Sequence, residues 1–172
     1  MHAKIMLLFH PDHLRIVVPT ANLVSFDWGD TGVMENSLWL IDLPRVSKHV
    51  NGTPNSDATR TPFAIELLRF LTAMELDADV VAGVKNFDFS VTENLAFVHT
   101  IGGVHAGPSA AVTTGYPYLA QAVRNLGLAS APDSPLEVDF ATSSVGSLRT
   151  DQILAMYTAL RGGEPTLSLI HI

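Results

Sequence analysis

Apolar residues in this chain fall into short blocks separated by polar, turn-forming stretches. Two blocks, 4–9 and 14–19, flank Pro11-Asp12-His13 and predict a β-hairpin with a short turn. Both run apolar without alternation, the pattern of strands covered on both faces. Residues 37–42 (Ser-Leu-Trp-Leu-Ile-Asp) predict a third strand, stopped by Pro44, and 47–60 turn to Asn, Gly, Thr, Pro, Ser and Asp as a surface loop does. Thr61-Pro62 opens a helix with Pro in its first turn, where a missing N–H costs nothing, and Phe63, Leu67, Leu71 and Met74 share one face. A second helix is expected over 77–86, capped by Asp77.

Ser90 to Glu93 is a polar break and the expected boundary between two lobes. Beyond it, 95–99 predicts a strand leading into the loop at Gly102-Gly103. A helix over 116–126 ends at Gly127, with Leu119, Ala122, Val123 and Leu126 inward. Residues 136–142 alternate as a strand, and Thr150-Asp151 caps a last helix whose buried stripe is Ile153, Leu154, Tyr157 and Leu160. Strands interleaved with helices in both halves predict an α/β fold.

Composition narrows the function classes. The 172 residues suit one domain or two half-domains, and 47% hydrophobic residues with a mean hydropathy of +0.26 exclude intrinsic disorder. No apolar run approaches the roughly 18 residues of a membrane-spanning helix, and the opening residues lack a secretory-signal pattern. The absence of cysteine removes disulfide scaffolds, Cys-ligated zinc and thiol nucleophiles together. A formal charge of −7 argues against coating nucleic acid by bulk charge, although backbone N–H groups and hydroxyls can still grip phosphate locally.

The two ends carry expectations of their own. Lys4 to Phe9 begins as a strand interior with no leading turn. The closing hexapeptide, Leu167 to Ile172, reads as a translated transposon-end sequencing adapter and is set aside from the fold, His171 included. On that basis the chain is a piece of a longer open reading frame.

Three sets of residues carry candidate chemistry. In His2-Ala3-Lys4 the His and Lys side chains share one face of a strand, and a neutral imidazole beside an ammonium is a workable phosphate-attacking pair. A frayed terminus is the bland alternative. Asn22 follows 18 residues after Lys4, and a hairpin returns the chain beside its own start, so the amide can reach a group held by His2 and Lys4. Alternatively, Asn22 is a turn residue bonding its own backbone. Ser143-Ser144-Val145-Gly146-Ser147 lies between a strand and a helix, where successive N–H groups and hydroxyls can hold a phosphate or merely satisfy their own turn. Phe26, Trp28 and Trp39 read as core or rim aromatics. Asp27 and Asp30 lack the partners of a hard-metal site, and His10, His13, His49, His99 and His105 show no metal-ligand spacing.

Together these features resemble the tyrosyl-DNA phosphodiesterases, a branch of the phospholipase D superfamily, in their fungal-looking form. The resemblance rests on His2 to Leu8, Leu14 to Leu23, Asp27-Trp28, the stretch 36–46 around Trp39 and Leu43-Pro44-Arg45, and Ser143 to Leu148. It covers nearly all of 1–162, with a weak patch at 104–114. The broader superfamily has an Asp five residues after the Lys; Phe9 stands there, which points to the tyrosyl-DNA branch.

The resemblance implies a phospholipase D-like layered α/β fold. Residues 1–92 would be the end of a first lobe, 93–166 the start of a second, and 167–172 a non-native tail. In the family each lobe supplies one His-Lys-Asn set to a shared site without metal or other cofactor, and members act as monomers. His2 would match the nucleophile that becomes a phosphohistidine, and Lys4 and Asn22 the groups binding non-bridging oxygens. Ser143 to Ser147 would match a DNA-backbone contact. The implied partner is DNA with a 3′-linked tyrosyl peptide, with no membrane involved, and the implied setting is DNA repair in the nucleus. No second His-x-Lys follows, since His99 and His105 are succeeded two residues later by Ile101 and Gly107. The expectation is therefore an inactive fragment. Two other assignments fit a single motif per chain: a homodimeric phospholipase D-type nuclease, and a non-catalytic α/β interaction domain.

Overall fold

The N-terminal apolar blocks close into a small antiparallel sheet. A computed structural model describes residues 3–30, 32, 35–46, 60–103, 105, 114–131, 133–140 and 146–164. In it β1 (Met6–Phe9), β2 (His13–Pro19) and β3 (Leu38–Pro44) pair in the order β1-β2-β3. The hairpin register sets Met6 against Val17 and Phe9 against Leu14, and β2 sets His13 against Pro44 and Pro19 against Leu38. The turn forms where Pro11-Asp12 anticipates it, closed by the His10 N–H donating to the His13 carbonyl at 2.9 Å. β3 ends at Pro44 as expected, though Pro44 is itself the last paired residue, because an edge strand tolerates Pro where no ladder N–H is needed.

The chain divides into two units, Met1–Glu93 and Asn94–Ile172. In the first, the sheet face bearing Leu14, Ile16 and Leu43 is fully buried at those positions. Helices α1 (Pro62–Ala73) and α2 (Ala78–Val84) complete this core with Leu67, Leu71 and Val84. Ring contacts tie the elements together: Phe9 with Phe87 at 6.0 Å, and Trp39 with Phe63 at 5.9 Å. Among the described residues the opposite face is covered only in part, with Val17 and Pro19 buried there. Leu8, Leu38 and Leu40 remain exposed, and an Arg15–Asp42 ion pair crosses that face.

Helix α1 starts as predicted. The Thr61 side chain accepts from the Ala64 N–H at 3.2 Å, with Pro62 in the first turn. Thr92 donates its hydroxyl hydrogen to the Phe89 carbonyl, so the 2.8 Å contact between the two threonines has Thr61 as donor. Asp77 stands at the start of α2 but makes no capping bond with its side chain. The segment after α2 runs back along β3, the Asp88 N–H donating to the Pro44 carbonyl at 2.8 Å.

The second unit contains α3 (Gly115–Asn125) and α4 (Thr150–Leu160). Gly127, at φ +69°, adopts the left-handed conformation after α3 that a side chain would oppose. The inward faces match expectation at Ala122 and differ elsewhere. Tyr118, Ala120 and Ala122 are the buried residues of α3, and Ala155 and Ala159 those of α4, while Ile153 and Leu154 are exposed. On α4, Ala155 and Ala159 are four residues apart and share one face, and Ile153 and Leu154 lie off it. Arg149, not Thr150, occupies the cap position of α4, and its N–H donates to the Gln152 side chain at 3.1 Å. The segment 95–99 and the described part of 136–142 pair with no strand among the described residues, because apolar alternation alone supplies no ladder partner. The loop 47–59 and the tail 165–172 lie outside the described residues.

Candidate functional site

Strand β2 ends at Pro19, and the next three residues deliver Asn22 to the end of the sheet. A single 3-10 turn, Ser25–Trp28, follows and brings a carboxylate back under Asn22. Asp27 is only 5% exposed. One oxygen of its carboxylate, Oδ2, accepts from the Asn22 backbone N–H at 2.7 Å and from the Asn22 amide Nδ2 at 2.8 Å. A buried carboxylate must be met by donors, and here the donors come from Asn22. The Trp28 indole N–H donates to the Asn22 carbonyl at 2.7 Å, so three polar groups of this one residue are held by Asp27 and Trp28. Gly29, at φ +80°, turns the chain away immediately afterwards.

A second Asn fastens this loop to the sheet. The Asn36 amide donates to the Asp27 carbonyl at 2.8 Å, and its Oδ1 accepts from the Thr20 hydroxyl at 2.7 Å. Thr20 and Ser37 also exchange bonds between the ends of β2 and β3, the Thr20 N–H donating to the Ser37 carbonyl at 2.9 Å. Thr20, Asn22, Asp27 and Asn36 thus form one connected network around the end of β2. Asn22 is not a turn residue closing on its own backbone; its partner is a buried acid five residues on.

Lys4 is half-buried and precedes β1. Continuing the register back from Met6 against Val17 sets Lys4 against Pro19, three residues before Asn22. The hairpin therefore returns the Asn22 segment to the sheet end from which the Lys4 segment enters. His2 lies outside the described residues, as do Ser143, Ser144 and Val145. Gly146 and Ser147 are exposed ahead of α4.

Other polar clusters sit elsewhere. Arg15 forks onto Asp42 from the facing strand, with both N–H···O distances 2.7 Å, and these bonds hold the Asp42 carboxyl below its ordinary range. At the hairpin tip the His13 ring bonds Asp12 at 2.8 Å, which lowers the Asp12 carboxyl, and His10 stacks on His13 at 4.2 Å. In the second unit His99 is buried, and its carbonyl accepts from the Thr114 hydroxyl at 3.0 Å. Among the described residues no three or more His, Cys, Asp or Glu gather as a metal-ligand set, and no helix is long and apolar enough to cross a membrane. Phe26, Trp28 and Trp39 are each well exposed, which makes them rim rather than core aromatics.

Sequence reasoning weighed Asp27 only as a metal ligand and gave Asn36 no role. The residues flanking Asp27 give no signal of its burial, since Phe26 and Trp28 are themselves exposed.

These elements define a mixed α/β protein with a small antiparallel sheet and an amide–carboxylate network at one sheet end. Its sequence matches the family model described as tyrosyl-DNA phosphodiesterase over residues 1–164, and the chain belongs to that family. Tyrosyl-DNA phosphodiesterase 1 of Drosophila melanogaster is 29% identical over 153 residues, which is 86% of this chain and 25% of the relative. The chain thus spans about a quarter of the length of the curated relative it matches.

Proposed function

We propose that this chain is part of a DNA-repair phosphodiesterase that releases tyrosyl peptides from DNA 3′ ends. The observation that carries the proposal is that the family match spans His2, Lys4, Asn22 and the Ser143 to Ser147 turn. The His2 imidazole attacks the 3′ phosphorus, a P–N bond forms, and the P–O bond to tyrosine breaks. Lys4 and Asn22 bind the non-bridging oxygens as charge builds on them. The leaving phenolate has a pKa of about 10, so modest protonation suffices for its departure. Water then cleaves the P–N bond and restores the imidazole. Ser143, Ser144, Val145, Gly146 and Ser147 contact the DNA backbone through N–H groups and hydroxyls.

On this proposal residues 1–92 and 93–166 belong to successive phospholipase D-like lobes, which the division of the chain near Glu93 supports. The enzyme is a monomer that works in the nucleus without a metal. The acid that protonates tyrosine comes from a second His-Lys set, and the 172 residues contain one His-x-Lys. This chain alone is therefore expected to give no multiple-turnover release of tyrosine from a 3′-phosphotyrosyl oligonucleotide. Sustained release, lost on His2→Ala, would overturn the inactivity and leave the chemistry standing. If neither Lys4→Ala nor Asn22→Ala weakens oligonucleotide binding, the site assignment itself is wrong.

A further inference from the structure

We infer that Asp27 is a positioning residue whose buried carboxylate sets the Asn22 amide in the one orientation that serves a phosphate. The inference rests on the proposal that Asn22 binds phosphate oxygens. Rotation about the last side-chain torsion of Asn is broad and roughly two-fold, so a loop Asn presents its oxygen or its nitrogen with little preference. A phosphate only accepts hydrogen bonds, and an Asn that presents Oδ1 to it repels it. An ionised carboxylate also only accepts. Its contact at 2.8 Å therefore requires Nδ2 at the Asp27 end of the amide. One amide hydrogen is committed to Asp27, and phosphate binding falls to the other on the same nitrogen. The Asn22 backbone N–H, on the same Oδ2 at 2.7 Å, keeps the Cα from swinging away. Asp27 is itself held, through its carbonyl, by Asn36 at 2.8 Å, and Asn36 is held by Thr20 at the end of β2. The chain of bonds thus runs from a sheet end to one amide nitrogen.

Asp27 also carries a negative charge close to where a phosphate binds, and that charge opposes binding directly. Orientation and repulsion act in opposite directions, and they differ in one respect: repulsion persists without Asn22, whereas orientation does not. The test is a double-mutant cycle on the full 172-residue chain, with a 3′-phosphotyrosyl oligonucleotide as probe and ¹⁵N spectra of side-chain amides as second readout. Asp27→Asn keeps the shape and one acceptor oxygen, so it avoids the cavity that Asp27→Ala leaves.

In the parent chain Asp27→Asn should move the bonded Asn22 amide proton upfield, as a charge-assisted bond becomes a neutral one. It should also weaken oligonucleotide binding by roughly tenfold, about the share of one well-aligned hydrogen bond. In an Asn22→Ala background the same change should leave binding unaltered or slightly tighter. Equal losses in the two backgrounds would mean a merely structural effect and would overturn the inference, as would an Asn22 amide signal unmoved by Asp27→Asn. If that signal moves with Asp27→Asn but never with added oligonucleotide, Asn22 is not a phosphate group. The proposed site then fails, and the role of Asp27 in it fails with it.

Discussion

The two units of this chain contain similar apolar side chains and build different cores from them. In Met1–Glu93 the inside is built from large residues, although others such as Leu8, Leu23 and Leu40 are exposed: Leu14, Ile16, Leu43, Leu67, Leu71, Val84, Phe87 and Phe89 are all essentially inaccessible. Among the described residues of Asn94–Ile172 the most deeply buried apolar side chains are Ala120 and Ala159, while Leu128, Phe140, Leu148, Ile153 and Leu154 are exposed. A sheet with helices against it encloses space that large side chains must fill. Two helices in direct contact enclose little, and they favour residues small enough to let their backbones approach. Hydrophobicity decides that a segment is ordered; the geometry of its partners decides which of its residues is inside.

This difference implies opposite responses to changes in side-chain size. Phe87 is fully buried, with the Phe9 ring on one side and the Arg45 guanidinium 4.6 Å from its centroid. Phe87→Ala should destabilise the first unit by about 3–5 kcal/mol through lost contacts and an unfilled cavity. Denaturant titration followed by amide protection in β2 reads this directly, and a loss under about 1 kcal/mol would mean that the ring is not structural. In the second unit adding atoms should do the damage. Ala159→Leu should cost about 1–3 kcal/mol, because the larger side chain must be forced into a fully buried position. Leu154→Ala, the same change in size at a position 59% exposed, should stay within about 0.5 kcal/mol. If the order of those two variants reversed in thermal unfolding, Ala159 would not belong to the core of this unit.

The same contrast explains what could be read from the residues. The hairpin is legible because Pro11-Asp12 forces a turn between two apolar blocks, and both signals are local. The start of α1 is legible for the same reason, in Thr61-Pro62. The inward face of α4 is not, because the more hydrophobic Ile153 and Leu154 outrank Ala155 and Ala159 on any scale until a partner helix is in place. Pairing is also non-local, so apolar alternation in 136–142 does not itself make a strand. At the candidate site the spacing from Lys4 to Asn22 is legible, and the hairpin register accounts for it. The bond from Asn22 to Asp27 is not, since it needs the 3-10 turn Ser25–Trp28 to swing the carboxylate back, and no residue spacing encodes that turn.

The smallest expected effect separates two ion pairs of like composition. Arg15 and Asp42 lie 27 residues apart and meet across β2 and β3, whereas Arg149 and Asp151 are neighbours on the same segment. A local pair forms almost as well in the unfolded chain and contributes little to folding. The cross-strand pair exists only in the fold, and Arg15 lowers the Asp42 carboxyl there, its hydrogen bonds being the largest cause. A carboxyl lowered by folding contributes stability that is complete above its unfolded pKa, near the ordinary 3.9 or so for Asp. That contribution is lost as pH falls through the lower folded value. Asp42→Asn should therefore flatten the acid limb of the stability curve below about pH 4 and lower stability slightly at neutral pH. The effect should be small because both side chains are about two-fifths exposed, and it should fade in about 1 M salt, where screening acts within roughly 3 Å. Asp151→Asn should change neither limb. Equal responses from the two variants would mean that the sheet gains nothing from its cross-strand pair.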